Sequence, residues 1–140
     1  MQLGRTLREA GVTREFASAV GTRFTGDAWP VLLGGALLIY FYTHYGFASI
    51  TAHLLAMFTP FCAVLIARGA PAGLVLYAFA CFSNFAAGLT HYGTTPAPMF
   101  FAQNYLSLRE WWKVGFVASL ANLAIWSTAG FWWWKRIGLW

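Results

Sequence analysis

Apolar residues run along this chain in blocks rather than in stripes. Val31 to Tyr42, Leu54 to Ala67, Ala72 to Leu89 and Met99 to Leu108 are largely apolar or small, and a fifth block lies between Trp112 and Trp132. A helix with a wet face alternates polar and apolar positions every three or four residues. Blocks that omit this alternation predict helices enclosed by lipid or by other helices. The chain is therefore read as an all-α integral membrane protein of one membrane domain in four parts. Residues 1–26 carry Leu3, Leu7, Phe16, Val20 and Phe24 in a loose helical stripe, which suits either an amphipathic surface helix or a partial span. Residues 27–70 form a helical hairpin, 71–108 a broken helix and 109–140 a final transmembrane helix.

The boundaries follow from local signals. Asp27 with Pro30 in the first turn starts a helix. The apolar run then meets a patch of small, polar and aromatic residues, Thr43 to His53, before a second run that stops at Arg68-Gly69-Ala70-Pro71. Two short runs around a polar tip predict a re-entrant hairpin, with two full passes joined by a tight turn as the alternative. The third run ends at Thr90-His91-Tyr92-Gly93-Thr94-Thr95-Pro96-Ala97-Pro98, where two prolines rule out a continuous helix. Irregular backbone at membrane depth survives only where protein or a wet cavity surrounds it. Tryptophans open and close the last run. Trp112 and Trp132 are twenty residues apart, roughly 30 Å of helix and the thickness of a bilayer core.

Charge sharpens the class. Only 9% of the 140 residues are charged, against about 25% in soluble domains. Forty residues without a charge separate Asp27 from Arg68, and forty more separate Arg68 from Arg109. The net charge of +5 lays out no basic face for phosphates, so nucleic acid is not a partner. Lys113, Lys135 and Arg136 suit headgroups at the bilayer edge. Cys62 and Cys81 have no metal-site spacing and read as small buried hydrophobes. The first 24 residues lack the continuous apolar core of a cleavable signal. Between Asp27 and Glu110 there is no carboxylate, so acid–base catalysis has no acid in the membrane and the protein is not read as an enzyme. Ser49 and His53, four apart, lack the third group that a nucleophile's base needs.

The candidate chemistry lies in the two polar breaks. Thr-His-Tyr-Gly occurs twice, at 43–46 and at 90–93. Polar side chains inside a bilayer usually face a cavity, a pathway or each other. Ser49, Thr51, Thr90, Thr94 and Thr95, beside Gly93 and Pro96, are read as lining a small hydrophilic site. Half-helix N-termini there would aim N–H groups at an anion, while hydroxyls and freed carbonyls ligate a cation. The alternative is that each hydroxyl bonds back to its own helix. His91 is either a donor or cation beside an anion or the partner in an interhelical hydrogen bond. His44 and His53, flanking the first tip, are read as structural.

These segments resemble the divalent anion/sodium symporter family, above all its di- and tricarboxylate branch. The resemblance rests on Tyr42-Thr43-His44-Tyr45-Gly46-Phe47-Ala48-Ser49-Ile50-Thr51-Ala52-His53, on Leu89 to Pro98, and on the closing Trp132-Trp133-Trp134-Lys135-Arg136-Ile137-Gly138-Leu139-Trp140. It covers the chain but only about the last third of a family member. It implies the second inverted repeat of an elevator-type transporter, with hairpin and broken helix moving as one unit by alternating access. Family hairpin tips carry Ser-Asn-Thr; Ser49 and Thr51 match the outer two, and Ile50 replaces the Asn. The resemblance implies symport or exchange of 2-oxoglutarate, malate, succinate or citrate in the cell (inner) membrane. It implies substrate contacts at Ser49, Thr51, Thr90, His91, Gly93, Thr94, Thr95 and Pro96, and a sodium site at Ser49, Thr51 and Gly93. In the exchangers of that branch, a protein cation such as His91 would replace a sodium charge. No other cofactor is expected. The expected partners are the anion, the bilayer, and the missing N-terminal repeat or a second copy. The alternative is a non-transporting fragment or an assembling membrane subunit.

Overall fold

The computed structural model describes residues 29–140; the segment expected at 1–26 lies outside them. Every regular element among the described residues is helical. Helix α1 is Trp29–Thr43, and a 3₁₀ turn, His44–Gly46, follows it. Helix α2 runs Ile50–Ala67. Helix α3 is Ala72–Phe85, prolonged by a 3₁₀ turn at Ala86–Gly88. Helix α4 is the five-residue Ala97–Phe101, and α5 runs Leu108–Arg136.

Local chemistry sets these limits. In α2 a π turn, Leu54–Phe58, lies just before Pro60. The Pro60 ring excludes the usual bond to the Ala56 carbonyl, and a widened turn accommodates that without ending the helix. The C-terminus of α2 closes on Gly69 at φ 85°, a left-handed conformation that glycine adopts without penalty. The Ala70 N–H then reaches the Leu65 carbonyl at 3.1 Å. Helix α5 opens on a capping box: the Glu110 N–H donates to Ser107 Oγ, and the Ser107 N–H donates to Glu110 Oε2 at 2.8 Å.

Helix α1, the second half of α2 and α3 pack against one another. Leu33, Leu37, Tyr40 and Phe41 of α1 meet Phe61 and Leu65 of α2 and Leu74, Phe79 and Phe82 of α3, all buried. One polar link crosses this core. Ser83 gives its proton to the Phe79 carbonyl, so the Tyr40 O–H donates to Ser83 Oγ at 2.6 Å. Helix α5 packs on α3 and the turn that follows it. Gly115 lies against the Gly88 and Leu89 carbonyls, where an added Cβ would come within 2.7 Å of the former. Trp126 stacks on Phe85 at 4.8 Å. Elsewhere α5 exposes Val114, Val117, Leu120 and Ile125, an apolar face suited to lipid.

By length and composition α2 and α5 are apolar enough to cross a membrane, and α3 with its 3₁₀ turn is shorter. The 29 residues of α5 rise about 43 Å at 1.5 Å each. The polar patch at 43–53 divides: helix resumes at Ile50, so Thr51 and His53 are helical and only 44–49 interrupts. Within the stretch expected as a broken helix, 71–108, the part after the second break is a short helix. It ends at Phe101, and turns at Gln103 and Asn104 follow, with Asn104 at φ 59°. Asn tolerates that region, and Ser107 then begins the next helix.

Candidate functional site at two helix breaks

The two Thr-His-Tyr-Gly copies meet. The Tyr92 O–H donates to the Tyr45 carbonyl at 2.8 Å, across 47 residues of chain. Gly93 is buried beside His44 and Thr90: a Cβ there would lie 2.7 Å from His44 Nε2 and 2.6 Å from Thr90 Oγ1. Only a residue without a side chain lets the second break come so close to the first. Trp112 of α5 seals the outside, 5.4 Å from the Tyr45 ring.

Beneath this contact sits a buried polar cluster. His44, His53 and Thr90 have no exposed surface. The His44 and His53 rings lie 5.2 Å apart, and His53 lies 4.3 Å from Tyr40. Thr43 donates to the Tyr40 carbonyl at 2.7 Å, so the bond of 3.1 Å between Thr43 Oγ1 and His53 Nε2 has the imidazole as donor. That leaves His53 Nδ1 as an acceptor. It has no partner among the described residues, nor do both ring nitrogens of His44 or Thr90 Oγ1. The Gly93 main chain comes next to the His44 ring without closing a bond of good geometry. An unmet buried polar atom costs on the order of 1–3 kcal/mol, and four occur within this one contact.

The expected site residues divide. Thr90 and Gly93 are in the contact. His91 is half-buried and turned to α5, accepting the Trp112 indole N–H on Nδ1 at 3.3 Å; the interhelical hydrogen bond is therefore made, and Nε2 carries the ring proton. Thr94 is half-buried and accepts the Ala97 N–H at 3.3 Å, while Thr95 and Pro96 are exposed. Ser49 is the N-cap of α2 in extended conformation (φ −159°), with no side-chain cap bond. Thr51 is exposed. The contacts joining the two breaks run through 44–45 rather than through Ser49 or Thr51. His44, Tyr45 and Tyr92 thus carry more of the junction than the sequence reading gave them, and the repeated tetrapeptide was the signal that pointed to them. Cys62 is buried and Cys81 half-buried, both as free thiols. Among the described residues no three His, Cys, Asp or Glu converge as metal ligands.

With every regular element among the described residues helical, two apolar span candidates among them and interrupted helices that interlock, this is a membrane protein built around its breaks. It belongs to the sodium:sulfate symporter transmembrane-region family, whose pattern matches residues 1–140. The chain is 48% identical over 115 residues to dicarboxylate transporter 1, chloroplastic, of Spinacia oleracea, covering 82% of this chain and 20% of that protein. Its namesake in Arabidopsis thaliana is 44% identical over 137 residues, 96% of this chain and 24% of the relative. The putative malate transporter YflS of Bacillus subtilis (strain 168) is 38% identical over 140 residues, 100% of this chain and 29% of the relative. The chain thus spans between a fifth and three tenths of the length of these relatives.

Proposed function

We propose that this chain is the C-terminal part of an elevator-type carrier of di- and tricarboxylate anions, with 2-oxoglutarate, malate, succinate or citrate as the substrate class. The observation that carries the reading is the interlock of the two breaks through Tyr92, Tyr45, Gly93 and His44. Broken helices held together at membrane depth can travel as one body with a bound anion. In this reading α1 and α2 form a re-entrant hairpin and α3 with α4 the broken helix of a second inverted repeat, in a multi-pass protein of the inner membrane. Names of the relatives support the substrate class.

Roles follow from placement. Ser49 and Thr51 stand at the uncapped start of α2, where free N–H groups favour an anion. Thr90, Gly93, Thr94, Thr95 and Pro96 form the facing wall. His91 keeps an Nε2–H donor for a carboxylate. Ser49, Thr51 and Gly93 offer oxygens for a sodium ion, and Ile50 removes one amide from that set. Imidazoles and hydroxyls without partners at the junction support a site that receives small polar guests.

The test is counter-exchange. Native membranes containing the protein, loaded with unlabelled malate, should take up labelled malate saturably, with succinate and citrate as competitors. Absence of saturable uptake there contradicts the reading. A site between two repeats has half its wall in this chain, so purified chain alone in liposomes is expected to exchange none. The same outcome is expected of an assembling membrane subunit or a non-transporting fragment.

A further inference from the structure

The stretch between α1 and α2 is built around one side chain, the fully buried imidazole of His53. Tyr40 from the last turn of α1 packs on it at 4.3 Å, and Phe47 and His44 from the connecting residues at 5.0 and 5.2 Å. Two hydrogen bonds fix the same residue. Its main-chain N–H donates to the Ser49 carbonyl at 3.1 Å, which closes the first turn of α2. Its Nε2–H donates to Thr43 Oγ1 at 3.1 Å, because the Thr43 proton is committed to the Tyr40 carbonyl. His53 thus joins the end of α1 to the start of α2 through its side chain and holds Ser49 through its backbone. An N-cap residue ordinarily fixes a helix start with its own side chain. Ser49 makes no such bond, so the first turn of α2 depends on the imidazole for its orientation, and its leading N–H groups keep no partner within the helix.

We propose that His53 is a positioning residue for the carried anion: through its bond to Thr43 it holds the start of α2, with Ser49 and Thr51, in the orientation that receives a carboxylate. The inference rests on the transport reading above and adds two residues to it, neither of which touches substrate. Binding groups that are already held in place lose less freedom when a ligand arrives, and this raises affinity. Without the Nε2–H to Oγ1 bond the first turn of α2 is free to tilt against α1. The rest of the packing is untouched, because Phe61 and Leu65 of α2 remain buried against α1 and α3. Affinity therefore falls while the movement of the whole body, and with it the maximal rate, is kept. An apolar side chain cannot replace the imidazole, since the contact needs a donor. Glutamine can, because its amide N–H reaches about as far as Nε2.

Counter-exchange of labelled malate in native membranes containing the protein separates the half-saturating concentration from the maximal rate. Thr43→Val keeps the shape and removes the acceptor. It should raise the half-saturating malate concentration about fivefold, the equivalent of one hydrogen bond, with the maximal rate per folded protein unchanged. Thr43→Ser should restore the wild-type value. His53→Leu should behave as Thr43→Val does, and His53→Gln should stay near wild type. A second readout needs no transport: in the solubilised chain Thr43→Val should speed exchange of the His53 and Leu54 amides, the first that α2 bonds internally, and leave 59–67 protected. Unchanged half-saturation in Thr43→Val, a fall in maximal rate alone, or no recovery in Thr43→Ser overturns the proposal, as does unchanged exchange at His53 and Leu54. A wild type that exchanges no malate defeats the transport reading and the positioning role with it, even where those two amides respond as expected. If His53→Leu does not fold, the two Thr43 variants still decide.

Discussion

Gly93 is the position of the junction with no room for a side chain. Its Cα sits so close to His44 and Thr90 that one methyl group cannot be added without moving a buried imidazole. Overpacking of that kind costs about 1–3 kcal/mol. Gly93→Ala should therefore lower the unfolding temperature of the solubilised chain; an unchanged melting curve would mean that the breaks are not in contact. Tyr92→Phe tests the same junction by subtraction. It leaves the Tyr45 carbonyl without the donor now 2.8 Å away, a loss of about 1–2 kcal/mol. The expected readout is faster amide exchange at 44–49 with α3 unaffected. Residue chemistry also explains an incomplete reading of the sequence. His91 offered two roles, and the Trp112 indole takes one of its nitrogens. His44, read as structural, turned out to lie at the junction, because nothing in a linear pattern tells which copy of a repeated tetrapeptide faces inward.

Elements were legible where long apolar runs carry them and less so where caps and turns decide. The final span was plain from its tryptophan pairs, and the structure extends it from Leu108 to Arg136. The capping box at Ser107 and Glu110 explains that early start. Ser107→Ala should cost about 1 kcal/mol, seen as faster exchange of the first-turn amides near Arg109 and Trp111, and Ser107→Asp should restore much of the protection. Helix α4 stops at Phe101 for a local reason: Asn104 turns left-handed and frees the chain to start again. Packing of α5 onto the end of α3 combines the Trp126–Phe85 stack with a close backbone contact. At Gly115 a Cβ would lie 2.7 Å from the Gly88 carbonyl. Gly115→Val is expected to detach this end of α5 and raise amide exchange at 86–90, while α1 and α2 keep their protection. Equal exchange in mutant and wild type would contradict the contact.

At the scale of the molecule, charge-free stretches and paired breaks made an all-helical membrane protein readable before any coordinates. What was not readable was which residues of each break touch, since a polar patch of eleven residues hides both a turn and the start of α2. The proposed function requires that the two breaks bound one chamber that receives a dicarboxylate. Single cysteines at Ser49 and Thr95, placed in the background Cys62→Ser and Cys81→Ser, test it most directly in native membranes. The measurement is the rate of modification by a small charged thiol reagent, with and without saturating malate. Malate should slow modification severalfold at both positions and leave a control cysteine at Thr128 unchanged. Modification at Ser49 and Thr95 that proceeds at the same rate with and without malate would contradict it.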